Sequence, residues 1–218
     1  MPERFKIDLH VHTDYSDSSG RLEDIVKVAV EKGLDGIAIT DHNTCEAAAL
    51  AIRRYSDRII VVPGLEYDAR EGHLLALGVV EAPPMGLSAP EVSRHLHRCG
   101  ALVVVPHPNI PLIGFGREDL KDLGPDAIET RNSAMPFYRW ISKKNARLAE
   151  SLHLPQTGGS DSHDRSCVGD SYTVIDSDSR KMSDILQAIR DGRTTPEGKP
   201  SPLLYRAKLM AGALMSKA

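Results

Sequence analysis

One short apolar run after another in this chain ends in histidine or an acid, and that recurrence constrains the fold more than any other feature. The first run is KIDLHVHTDYSD, residues 6–17, where Ile7, Leu9 and Val11 alternate with Asp8, His10 and His12. A period of two is that of a β-strand, and residues two apart project from one face, so His10 and His12 point together. Two imidazoles so placed can bind one metal ion without any rearrangement of the backbone. An isolated pair of this kind is more often a surface strand whose histidines happen to alternate. Here the rest of the chain repeats the arrangement.

Residues 21–32 place Leu22, Ile25, Val26, Ala29 and Val30 at helical spacing, and Gly33 supplies the stop. The apolar strand 36–40 then delivers Asp41, His42 and Asn43. After a helix over 45–55, the strand 59–62 stops at Pro63-Gly64 and delivers Glu66. A strand over 73–80 begins with His73, and Ser88 caps a helix over 89–98. The strand 101–105 delivers His107, and a short strand over 126–128 delivers Glu129. A longer helix over 136–153 leads to residues 156–158 and then to Asp161 and His163. Residues 171–175 form a last strand and 183–191 a helix. No repeat, low-complexity tract or linker marks a second domain. Residues 1–218 are therefore expected to form a single domain, with 200–218 a C-terminal docking helix.

Strands buried on both faces and alternating with helices imply a mostly parallel sheet. A closed β/α barrel gathers all its strand ends on one rim, whereas a doubly wound open sheet collects ligands only at its switch point. A barrel is the expected fold.

The residues delivered to that rim are His10, His12, Asp17, His42, Glu66, His73, His107, Asp161 and His163. All are types that ligate borderline or hard divalent metals, and none is cysteine. Nine exceed what one four-coordinate zinc uses, and suffice for two or three ions if a carboxylate bridges. The net charge of −3 argues against a chain held to nucleic acid or anionic membrane by bulk electrostatics, though not against a nucleotide handled by bound metal. Three scattered cysteines make no disulfide framework and suggest a reducing compartment. No charged-then-apolar leader opens the chain and no apolar run approaches a membrane span, so a cytoplasmic location and no membrane partner are expected.

The motifs DLHVHTDYSD (8–17), TDHN (40–43), GLEY (64–67), GHLL (72–75), PHP (106–108) and GSDSH (159–163) follow one another in order over residues 6–170. Together they resemble the polymerase and histidinol phosphatase (PHP) family of phosphoesterases. The resemblance implies a distorted seven-stranded (βα)7 TIM-like barrel carrying three divalent ions of manganese, zinc or iron at the C-terminal ends of its strands. It implies that His10, His12, Glu66 and Asp161 hold one ion. Glu66 would bridge to a second, completed by His73 and His107, and Asp17, His42 and His163 would hold the third. No inserted subdomain of the kind that covers the pocket in some nucleotide-directed relatives is evident.

Water shared between such ions loses its proton near neutral pH and becomes a nucleophile, while a metal-bound phosphate oxygen is polarised. The candidate catalytic residues are Asp161, which could shuttle the proton, His163 and Arg131, a natural phosphate fork at the end of its strand. A solvated arginine is the competing reading of Arg131. Glu129 is a candidate partner for a ligating histidine. Arg117 and Arg165 are weaker phosphate candidates, and Ser160 reads as structural. His95 and His97 diverge on a helix, His153 sits near a helix C-terminus, Cys45 reads as a small buried hydrophobe, and Tyr138 and Trp140 as packing.

The leading expectation is a metal-dependent phosphoesterase acting on a small phosphorylated substrate, a nucleotide or another metabolite. A 5′→3′ exonuclease on short oligonucleotides and a non-catalytic metal-binding module are the alternatives. A C–N amidohydrolase shares the HxH start but often bridges its metals with a modified lysine; here the bridging position is Glu66.

Overall fold

The computed structural model describes residues 2–110 and 113–215, and the last three positions of the expected docking helix lie outside them. In chain order the elements are β1 (Glu3–Val11), α1 (Leu22–Glu31), β2 (Gly36–Ile39), α2 (Glu46–Tyr55), β3 (Ile60–Asp68), β4 (His73–Leu77), α3 (Ala89–Arg98) and β5 (Leu102–Val105). They continue with α4 (Leu120–Leu123), β6 (Ala127–Asn132), α5 (Tyr138–Leu152), β7 (Gln156–Gly159), β8 (Ser171–Ser177), α6 (Met182–Arg190), β9 (Thr194–Gly198) and α7 (Leu203–Met215).

The strands form one nine-stranded sheet in the order β7-β6-β5-β4-β3-β2-β1-β8-β9. It curls into a nearly closed barrel; the seven-strand count that the resemblance implies is not confirmed, and the mostly parallel sheet expected from the strand–helix alternation is a mixed one. β4 runs antiparallel to both β3 and β5, β8 is antiparallel to β1, and β9 to β8. The reversal of β4 explains why His73, at the start of its strand, joins residues at the ends of others: an antiparallel strand begins where its neighbours finish. β9 carries Pro196, which an edge strand tolerates because that side of the backbone needs no ladder donor.

β3 does not stop at Pro63-Gly64. It changes partner there, pairing with β2 up to Pro63 and with β4 from Gly64 onward. Gly64 is required by that switch, since a Cβ would lie 2.3 Å from the Ala76 carbonyl oxygen.

Inside the barrel, Ile60 and Val62 of β3, Leu75 and Leu77 of β4, Leu102 and Val104 of β5, and Ala127 of β6 form one buried cluster, which Ile185, Leu186 and Ile189 of α6 join. Helices α1 and α2 cover Ile37, Ile39 and Val61 on the outer face. The inward positions further along the same strands carry the chemistry: Glu66 on β3, His73 on β4 and Glu129 on β6 keep the two-residue parity of the apolar layer. β1 reaches it differently. Its register against β2 shifts between Asp8 and Val11, so that Ile7 and Leu9 pack inside while Val11 packs outside with α1.

The barrel closes where β7 runs on beside β1. Asp161 N donates to the His10 carbonyl at 2.8 Å, and His12 N donates to the Ser162 carbonyl at 3.1 Å. Gly159 permits this approach, because a Cβ there would sit 2.4 Å from the His10 Cβ.

Candidate metal centre

The mouth of the barrel is organised about Glu66, which is 1% exposed. Its Oε1 lies 2.9 Å from His107 Nε2 and 3.0 Å from His73 Nδ1. Its Oε2 lies 3.2 Å from His10 Nε2, 3.3 Å from His12 Nε2 and 3.5 Å from His42 Nε2. One carboxylate therefore faces two sets of imidazoles with its two oxygens. Asp161 Oδ1 adds to the first set, 3.3 Å from His12 Nε2 and 3.5 Å from His10 Nε2. Nearer solvent, Asp17 Oδ2 lies 3.2 Å from His163 Nε2 and 3.9 Å from His42 Nε2. Among the described residues, three groups have ligand atoms all within 4.8 Å of one another: His10, His12, Glu66 and Asp161; His42, Glu66 and His73; and His12, Asp17, His42 and His163. All nine side chains expected from the sequence converge here.

The chemistry of this donor set fits divalent metal. His10 Nδ1 faces Glu129 Oε1 at 3.1 Å, a contact that places the hydrogen on Nδ1. On a neutral His10 the Nε2 lone pair then points at Glu66 Oε2, and His12 Nε2 lies 3.1 Å away. Acceptors facing acceptors repel unless a cation stands among them. Glu66, Glu129 and Asp161 are buried beside these histidines, and burying acids with no compensating positive charge is costly. His12 Nδ1 and His107 Nδ1 are also buried without a hydrogen-bond partner.

The acidities tell the same story. Burial pulls His10 down, yet Asp161, Glu129 and Glu66 hold it well above its ordinary value. Burial likewise opposes His42, which Glu66, Asp68 and Asp17 raise to about 10. Against their own burial, Glu66 is held well below the usual range by His10, His73 and His42, and Asp161 by His10, His12 and His163. Asp17 is brought down to about 2 by His163, His12 and His42, against the opposing effect of burial. Carboxylates concentrated in a buried space favour any positive charge placed among them, a proton or a metal ion.

A second set of residues holds the ligands in place. Glu129 meets the expectation of a histidine partner: Oε1 pairs with His10, and Oε2 accepts the His107 backbone N–H at 2.9 Å. Asn132, which the sequence places at the rim together with Arg131, donates to Glu129 Oε2 at 2.8 Å and to Asp161 Oδ2 at 3.0 Å; a register shift between Glu129 and Arg131 breaks the alternation there, and Asn132 rather than Arg131 makes these bonds. Three further supports were not legible in the sequence. Asp68 Oδ1 lies 2.8 Å from His42 Nδ1. Asp41 accepts from Thr13 N and from the Thr13 and Ser16 hydroxyls, fixing the turn that carries Asp17. Tyr205 of α7 accepts the His163 backbone N–H at 2.6 Å. Asp8, which the sequence only places in the first motif, accepts Ser160 N at 2.8 Å and Gly169 N at 2.7 Å, while burial pushes it up to about 6. His107 (φ 31°) and Asp161 (φ 52°) adopt left-handed backbone, which histidine and aspartate take more readily than most non-glycine residues.

Other candidates stand apart. Arg131 is half-buried and makes none of the bonds that tie the cluster together. Arg117 bonds Ser151 and Arg165 pairs with Asp24. Ser160 is buried and bonds the His10 carbonyl, a structural role. His97 pairs with Asp126 at 3.1 Å, and His153 caps α5. Cys45 is buried and pushed up to about 12, chiefly by desolvation. Tyr138 packs as expected. Trp140 does not: it is 65% exposed, because its position on α5 faces away from the barrel.

The family model described as PHP domain matches residues 8–115, and that described as PHP-associated matches residues 143–194. The chain is 34% identical over 140 residues to an uncharacterised protein of Methanocaldococcus jannaschii, an alignment covering 59% of this chain and 82% of that one. It is 39% identical over 85 residues to a phosphoribosyl 1,2-cyclic phosphate 1,2-diphosphodiesterase of Eggerthella lenta, covering 35% of this chain and 32% of that enzyme. Its fold is similar to that of a two-domain protein from Bacteroides vulgatus containing a predicted PHP-like metal-dependent phosphoesterase, with a TM-score of 0.78 at 20% identity. That likeness covers 91% of this chain and 66% of the other. With most of a curated relative spanned and both models matched in order, the chain belongs to the PHP family.

Proposed function

We propose that the chain is a metal-dependent phosphoric ester hydrolase whose substrate is a small phosphate ester, a nucleotide or another phosphorylated metabolite. The observation that carries this reading is the two-sided carboxylate of Glu66, with imidazoles of two groups 2.9–3.5 Å from its oxygens. In this proposal residues 1–218 act as one barrel domain with the tail helix docked at its mouth. His10, His12, Glu66 and Asp161 would hold one ion, Glu66, His73 and His107 a second, and Asp17, His42 and His163 a third. Manganese, zinc or iron bound there would polarise a phosphoryl oxygen and acidify a water into a nucleophile near neutral pH.

The chain's own side chains supply the rest. Asn132 binds Asp161 Oδ2 and leaves Oδ1 on the side of His10 and His12, where it could hold the proton released in attack. His163 and Asp17, on the more open side, lie where a substrate would enter. Arg131, in no ion pair among the described residues, would meet a phosphate oxygen at the end of β6.

Hydrolysis of an aryl phosphate and of a mononucleotide by the manganese-supplied protein tests the reading. His12→Ala and Asp161→Asn are expected to abolish turnover with the circular dichroism spectrum unchanged. Turnover undiminished by both substitutions would remove the centre from the reaction.

A further inference from the structure

Two aromatic side chains stand in solvent where α5 begins: Phe137, 77% exposed, and Trp140, 65% exposed. Phe137 is held out by left-handed backbone at φ 47°. Spacings of three and four put residues 140, 144 and 147 on one face of the helix, with Lys143 beside them and Phe137 at the N-cap just before it. Tyr138, Ile141, Asn145 and Ala149 are buried on the opposite face. Arg139, Lys143, Lys144 and Arg147 are all exposed, and among the described residues none forms an ion pair. The chain has no acid between Glu129 and Glu150, so this surface is of one sign although the whole carries −3. Lys144 Nζ lies 5.8 Å from the Trp140 ring centroid. Solvated helix faces usually mix charges and keep large aromatics covered.

The helix follows directly on a strand that supports the centre. β6 ends in Asn132, bonded to Asp161, and Phe137 follows five residues later at the head of α5. We propose that this face of α5 binds a single-stranded oligonucleotide and leads its phosphodiester backbone to the metal centre. Phe137 and Trp140 stack bases, while Lys143, Lys144 and Arg147 track phosphates, the combination by which single strands are held without sequence readout. The inference rests on the phosphoesterase reading and extends its substrate from a single nucleotide to the phosphodiester chain of an oligonucleotide. An anionic lipid surface needs the same charge, but a stripe on the helix that follows Asn132, itself bonded to Asp161, favours a polymer whose own linkages are the substrate.

Trp140 is the only tryptophan, so its fluorescence reports binding directly. The protein is titrated with a twelve-residue oligothymidylate in EDTA, which separates binding from cleavage. Saturable quenching is expected, with affinity falling as salt rises at a logarithmic slope of roughly −2 for three phosphate contacts. By anisotropy of a labelled strand, Lys143→Glu/Lys144→Glu/Arg147→Glu and, separately, Trp140→Ala should each bind about tenfold more weakly or worse. With manganese, the ratio of oligonucleotide to aryl phosphate turnover should fall in both variants. Binding without hydrolysis of any phosphoester would remove the proposed reaction and leave this surface standing. Aryl phosphate hydrolysis with no strand binding, or quenching by phosphatidylglycerol vesicles alone, would overturn the surface.

Discussion

The hydroxyl of Tyr205 accepts the His163 backbone N–H at 2.6 Å and lies 3.3 Å from the Asp161 carbonyl oxygen. A residue of the last helix thus sets the backbone of two ligands delivered more than forty positions earlier. Removing it leaves a partly buried N–H without its partner, a loss of about 1–3 kcal/mol. Tyr205→Phe should lower the thermal midpoint and weaken manganese binding, both readable by calorimetry. An unchanged affinity would detach α7 from the centre.

Glu129 binds its histidine with one oxygen and collects two N–H donors, from His107 and Asn132, with the other. Glutamine in its place must turn an amide N–H₂ toward either those donors or His10. Glu129→Gln is expected to weaken metal binding about 10–100-fold while the chain remains folded. The ratio of metal affinity to unfolding free energy separates a positioning role from a purely structural one, which would move only the latter.

The histidines' protons and a metal ion compete for the same space. His42, ordinarily at 6.5, is raised to about 10. Its proton contributes stability that is fully present below 6.5 and lost as pH rises through about 10. Asp17, lowered from 3.8 to about 2, contributes stability present above 3.8 and lost as pH falls through about 2. Metal-free protein should therefore lose stability between pH 6.5 and 10, and zinc or manganese should suppress that loss. Titration calorimetry at pH 8 in buffers of different ionisation enthalpy should show proton release on binding. Heats that do not depend on the buffer would contradict this.

The nine candidate ligands were legible because strand period and strand-end position are local properties: His10-x-His12 and Asp161-x-His163 need no knowledge of the partner strand. Direction is not local. Nothing in residues 73–77 says that β4 runs antiparallel, and nothing in Pro63-Gly64 distinguishes a strand that stops from one that changes neighbour. The sequence places Asn132 at the rim beside Arg131 but assigns it no role, because a register shift breaks the alternation that favours Arg131. Asp68 and Tyr205 act on histidines 26 and 42 residues away, a relation fixed only by folding. The stripe on α5 was hidden by the low net charge of the whole, which averages a local excess of cations against acids elsewhere.

The proposed hydrolysis depends on Glu66 standing between cations. Anomalous diffraction from crystals grown with manganese tests it most directly. The prediction is a pair of peaks, one on the His10 and His12 side of the carboxylate and one on the His73 and His107 side, each within bonding distance of a different oxygen. A map with no peak beside Glu66, or with ions elsewhere only, would contradict it.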